Sequence, residues 1–175
     1  MRAFLYLTIV TIISVSAHGK NIYKQKVKLM TGQEQTLEAY KGKPVMIVNI
    51  ATQCGYTPQL KGLETIYQQY KDKGFAVIGV PSNDFGGQTP EGEPEIKKFC
   101  EMKYQTTFPL TTKSVVKGES KIPLFKELIA ATGNSEVKWN FEKFLIDKSG
   151  KVTHRFESKV APDSSEVKKA IESVL

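Results

Sequence analysis

Residues that carry chemistry are scarce in this chain. It has two cysteines (Cys54 and Cys100), two histidines (His18 and His154) and a single tryptophan, Trp139. No two of the cysteines and histidines stand close together, so the short ligand spacings of a structural zinc site are missing. Basic runs are equally short. None exceeds a pair such as Lys97-Lys98 or Lys168-Lys169, which argues against a polybasic arm or a nucleic-acid stripe despite a net charge of +7. No internal repeat, low-complexity tract or Pro/Gly/Ser-rich linker divides the sequence, and 175 residues with 40% apolar content suit one domain with its own core. The most apolar stretch, Ala3 to Val15, falls short of the about 20 residues that a membrane span needs.

What is present at the start reads as a targeting signal. Arg2 precedes that apolar stretch, and Val15-Ser16-Ala17 puts small residues at the −3 and −1 positions of a cleavage site. The expectation is a secretory signal peptide over 1–17 and a mature domain over 18–175. The product would be exported, periplasmic or secreted, with no stable membrane insertion after cleavage. No cysteine follows the cleavage site, which excludes a lipoprotein anchor there. In an oxidising compartment two cysteines suggest a structural disulfide, worth about 3–4 kcal/mol by chain entropy. Local context has to decide against that reading.

Along the mature chain, Tyr23 to Met30 and Gln35 to Tyr40 flank Thr31-Gly32 and predict an N-terminal hairpin. Val45 to Ala51 is apolar apart from Asn49, as expected of a strand covered on both faces. Thr57-Pro58 fits a cap followed by a first-turn proline, and Leu60, Leu63, Ile66, Tyr67 and Tyr70 recur at helical spacing. Gly74 ends that helix, and Phe75 to Val80 is a second buried strand. The two strands should therefore run parallel through a right-handed crossover. A Gly-rich loop (Asp84 to Pro90) leads to helices near Glu93–Lys103 and Pro123–Ala131. Phe141–Asp147 and Lys151–Glu157 flank a Lys148-Ser149-Gly150 turn, and Pro162 opens a last helix. The pattern predicts an α/β fold with a mixed sheet.

Cys54 lies just past a buried strand and just before a helix, where the helix N-terminal charge favours a thiolate. A dithiol centre would have its second cysteine at residue 57, but Thr57 stands there, so the site has one cysteine of its own. Asn49-Ile50-Ala51-Thr52-Gln53-Cys54-Gly55-Tyr56-Thr57, Gly79-Val80-Pro81-Ser82-Asn83-Asp84-Phe85-Gly86-Gly87-Gln88 and Trp139-Asn140-Phe141-Glu142-Lys143-Phe144-Leu145 resemble, in order, three motifs of the glutathione peroxidase family. The resemblance implies a thioredoxin-like fold, with a central mixed sheet flanked by helices and an N-terminal β-hairpin. It also implies a catalytic tetrad of Cys54, Gln88, Trp139 and Asn140. The last three offer N–H donors that cannot ionise, suited to a thiolate and to charge growing on a leaving oxygen.

Phe99-Cys100 with downstream Thr107-Phe108-Pro109 resembles the segment that carries the resolving cysteine in the family's two-cysteine branch. A packed core cysteine and a structural half-cystine are the other readings of Cys100. The resolving role would place the two thiols apart at the start, so that closure needs local unwinding around Cys100, because a disulfide spans Cα separations of only about 4.4–6.8 Å. The short connection from Lys126 to Lys138 resembles the monomeric branch. The family resemblance as a whole implies the expected substrates, co-substrate and reductant, and the short basic runs imply the expected lack of nucleic-acid binding. The substrates are hydroperoxides, and there is no cofactor beyond a thiol co-substrate. A thioredoxin-like protein is the reductant in preference to glutathione, no nucleic acid is bound, and the protein is a monomer. A peroxide sensor or redox relay would need the same residues. A cysteine hydrolase would instead need His154 beside Cys54, and a secreted binding module would need only the disulfide.

Overall fold

A computed structural model describes residues 22–175. The expected signal segment, 1–17, lies outside the described residues. The alternating run after Tyr23 yields a hairpin shorter than its pattern suggests: β1 (Lys26–Lys28) pairs antiparallel with β2 (Glu34–Thr36). Tyr23 belongs to a 3-10 turn (Ile22–Lys24), and Leu37–Tyr40 forms another instead of continuing the strand. Leu37 explains the stop, because its N–H bonds Gln25 O while its side chain is buried.

The continuous apolar runs become β3 (Val45–Ile50) and β4 (Ala76–Pro81), every residue of which is buried. They pair in parallel, joined by helix α1 (Gln59–Tyr70). The chain leaves α1 through a 3-10 turn ending at Gly74, whose φ of +90° suits a residue without Cβ. Helices α2 (Glu93–Tyr104) and α3 (Pro123–Ala131) follow. Next come β5 (Lys143–Ile146) and β6 (Val152–Phe156), an antiparallel pair with an irregularity between Leu145 and Ile146. The sheet order is β4-β3-β5-β6, mixed in direction, as in thioredoxin-like folds.

The last helix, α4 (Ser165–Val174), begins later than Pro162 suggests. Ser164 is its cap, with Oγ accepting from Val167 N at 3.4 Å. The period of two along β3 divides the core between two faces. Met46, Val48 and Ile50 meet Leu60, Leu63 and Ile66 of α1, Ile96 and Cys100 of α2, and Val167 and Ile171 of α4. Val45 and Ile47 meet Leu124, Phe125 and Leu128 of α3 together with Val27 and Leu29 of the hairpin. Each such aliphatic side chain removed from water contributes about 1.5–3 kcal/mol. The segment after α2 closes on the sheet at Gly79, which bonds Pro109 O and Thr111 N; a Cβ there would lie 2.7 Å from Leu110 Cδ2. Three segments thus end at one edge of the molecule: the end of β3, the loop after β4 and the turn before β5.

Candidate active site

The turn bearing Cys54 is built by Thr57, and not as a helix cap. Thr57 Oγ1 accepts from Cys54 N at 3.0 Å and donates to Ala51 O at 2.9 Å, bracketing residues 51–57. Helix α1 starts only at Gln59, so Cys54 stands in the turn ahead of it. Tyr56 N–H points back at Cys54 Sγ over 3.4 Å. The sulfur has little solvent exposure, with the residue 8% exposed.

The Gly-rich loop lies against this turn. Gly86 and Gly87 both adopt left-handed φ, +65° and +66°, which lets the chain reverse so that Gln88 O accepts from Gln53 N at 2.9 Å. Thr52 Oγ1 also donates to Gln88 O, at 3.3 Å. Glu91 completes the junction: its carboxylate accepts from Thr52 Oγ1 at 2.6 Å and from Gln53 Nε2 at 2.7 Å. Burial disfavours that charge, but the hydrogen bonds from Thr52 and Gln53, with Lys113 nearby, outweigh it and hold the carboxyl below its usual range.

The third segment joins through Asn140, which is fully buried. Its Nδ2 donates to Gln88 Oε1 at 3.0 Å, and Oδ1 is buried without a partner. With Oε1 engaged, the Nε2 of Gln88 is the end left to donate. Trp139 packs its ring against Phe85 of the same Gly-rich loop, with centroids 5.8 Å apart, and keeps 39% of its surface exposed. Beside it a cleft of about 430 Å³ is lined by Tyr56, Lys138, Ser158 and Lys159 among others. Gln88 and Asn140 are therefore in direct contact with each other. Gln88 is tied through its backbone to the residue before Cys54, and Trp139 borders the same loop.

Cys100 sits on the inner face of α2, fully buried, and both cysteines are free thiols. Burial foremost, then the charges of Glu101 and Glu91, pushes the Cys100 thiol up to about 12. His154 is exposed on β6, its ring stacked on Phe156 and its Nδ1 near Thr153 Oγ1, so nothing in its surroundings engages Cys54.

Asn49, Glu91, Glu142 and Arg155 escaped a functional reading from sequence. Asn49 was visible as a polar interruption of an apolar strand. Its Nδ2 donates to Trp139 O at 3.0 Å, and its Oδ1 accepts from Glu142 N at 3.0 Å.

A family model described as glutathione peroxidase matches residues 22–129. The chain belongs to the glutathione peroxidase family. This peroxidase is 44% identical over 171 residues to a hydroperoxy fatty acid reductase of Synechocystis, covering 92% of this chain and 100% of the relative. It is 47% identical over 137 residues to a glutathione peroxidase-like peroxiredoxin of Saccharomyces cerevisiae, covering 76% and 84% respectively. Among solved structures, the crystal structure of apo Trgpx superposes with a TM-score of 0.72 at 35% identity, covering 88% of this chain and 94% of that one. The peroxidase thus shares both its fold and its catalytic class with these relatives.

Proposed function

We propose that Cys54 is the peroxide-reacting thiolate of this peroxidase, and that Gln88, Trp139 and Asn140 supply neutral N–H donors around the reaction. The sulfur attacks one peroxide oxygen as the O–O bond breaks. The other oxygen leaves as alkoxide or hydroxide and takes up a proton, while the sulfur becomes a sulfenic acid. Cys100 then attacks the oxidised sulfur, an S–S bond forms and water departs. A dithiol reductant of the thioredoxin type returns two electrons by thiol exchange, regenerating both thiols.

One observation supports this reading above the others: the Asn140–Gln88 side-chain bond, with Gln88 O bound to Gln53 N, ties two of these three residues, Gln88 and Asn140, to the junction that holds the Cys54 turn. Fixed donors of this kind need no reorganisation when charge develops. The position of Cys100 fits a thiol that is protonated and sealed while α2 is intact, and available only when α2 opens. Helix α2 fully buries two residues, Ile96 and Cys100, with Phe99 and Tyr104 half-covered, against four for α1, which favours α2 as the helix that opens locally.

The signal-like segment supports export, and the short 126–138 connection supports a monomer. Mass determination of the processed protein and its sedimentation test these two points. The catalytic reading is tested by peroxide consumption. Cys54→Ser should abolish it in a folded protein. Cys100→Ser should give one rapid turnover and then stall with a thioredoxin-type donor, and sustained turnover of that variant would remove the resolving role.

A further inference from the structure

The turn that presents Trp139 and Asn140 is held by charges that play no part in the chemistry described above. Glu142 is buried, with a side chain 3% exposed, and spends its two oxygens in different directions. Oε1 accepts from the backbone N–H of Lys138 at 2.6 Å, and Oε2 takes Arg155 Nε at 2.8 Å. Arg155 Nη2 also lies 2.6 Å from Glu142 Oε2 and donates to Glu136 O at 2.9 Å, while Nη1 donates to Ser135 O at 2.6 Å and to Thr132 Oγ1 at 3.4 Å. Its plane also lies over the Phe144 ring, 5.0 Å from the centroid. The pair therefore fastens residues 135, 136 and 138, the three main-chain anchors just ahead of Trp139. On the other side of the turn, Phe141 adopts a φ of +66°, a left-handed conformation that is an outlier for a bulky residue. Such a conformation costs about 1–3 kcal/mol and persists only where its surroundings over-determine it.

Stability alone is a poor reason for this pair. Desolvating a buried carboxylate and a largely covered guanidinium, whose side chain is 15% exposed, offsets much of their attraction, and replacing such a pair by apolar residues of similar volume is often neutral. What an apolar pair could not supply is the set of directed bonds to the 135–138 backbone. We propose that Glu142 and Arg155 are positioning residues, a clamp that sets where the Trp139 indole and Asn140 amide stand relative to Cys54. This rests on the reading of those two residues as donors in the peroxide step. A donor displaced by about 1 Å can cost on the order of a hundredfold in rate.

The test uses rapid mixing of reduced protein with hydrogen peroxide in a Cys100→Ser background, together with emission from Trp139, the only tryptophan. Glu142→Leu/Arg155→Met removes both charges without leaving one unpaired. It should melt close to the parent, shift the Trp139 emission and lower the second-order rate of Cys54 oxidation roughly tenfold to a hundredfold. Arg155→Lys keeps the charge but cannot make the forked contacts. It should lose rate in the same range, and it decides the matter if the double variant does not fold. Folded variants with parental rate and emission overturn the clamp, as does a rate loss no greater than the unfolded fraction. Asn140→Ala and Trp139→Phe are run in parallel. If these two keep the parental rate, the donor reading itself fails. If they lose it while the clamp variants do not, only the clamp fails.

Discussion

Asn140 Nδ2 donates to Gln88 Oε1 over 3.0 Å, joining the turn before β5 to the loop after β4. The bond orients both amides, because each partner's role is fixed by the other. Replacing Asn140 with Asp would set a carboxylate against the Gln88 carbonyl and against any anionic sulfur nearby. Loss of one preorganised donor costs about 10²–10³ in rate. Asn140→Asp should therefore slow Cys54 oxidation by at least the lower of these factors, measured by competition for hydrogen peroxide. A rate within threefold of the parent would show that this amide does not serve the reaction.

Glu91 links the Cys54 turn to the segment leading into α2 through Thr52 and Gln53. Because its carboxyl is held below the usual range, the bond network persists at neutral pH and is lost as pH falls through that lowered value. A hydrogen bond to a charged group contributes about 1.5–3 kcal/mol. In a double-mutant cycle, Thr52→Val and Glu91→Gln should show a coupling of about 0.5–3 kcal/mol in urea unfolding at pH 7. Strict additivity would mean that the contact carries no energy.

Several parts of this architecture are plain in the sequence. The uninterrupted runs at Val45–Ile50 and Ala76–Pro81 announce strands covered on both faces, and Pro123 marks the start of α3. The Thr57-Pro58 and Pro162 signals mislead for a common reason: a hydroxyl's partner depends on tertiary placement. Thr57 is consumed by Cys54 N and Ala51 O, while Ser164 caps α4. The three quoted motifs contain every residue of the proposed tetrad. They also contain Asn49 and Glu142, yet the bracing roles of these two depend on Trp139 O, Lys138 N and Arg155, partners that no local pattern specifies. Lys143 was likewise legible only as a strand residue.

That lysine is fully buried, donating to Val160 O at 2.5 Å and Ser158 O at 3.4 Å. Burial brings its ammonium down to about 7, against a weaker opposing pull from Glu142. An unfolded chain keeps the same group protonated up to about 10.4. Between these values the unfolded state binds the extra proton, so stability from this group rises with pH from about 7 toward 10 and is flat below. The unfolding free energy of the parent minus that of Lys143→Met should increase between pH 7 and 9, by at most about 1.4 kcal/mol per unit. The subtraction cancels Cys100 and Tyr70, whose raised values act in the opposite sense at higher pH. A difference independent of pH would contradict this assignment.

Cys100, with its thiol pushed up to about 12 by burial, should resist alkylation while α2 is folded. In the Cys54→Ser background, labelling by iodoacetamide at pH 8 should proceed only through local opening. It should therefore accelerate with sub-denaturing urea and be far slower than for a free thiol. Labelling as fast as that of glutathione would show that α2 does not seal this residue.

The proposed chemistry requires that three donors from two separate segments, the loop after β4 and the turn before β5, act on one sulfur held by a third. In the Cys100→Ser background, the rate of sulfenic acid formation at Cys54 with a limiting hydroperoxide should fall by about 10²-fold or more for Gln88→Ala. It should not fall for a substitution at exposed Met102. Parental kinetics in a folded Gln88→Ala protein would contradict the account.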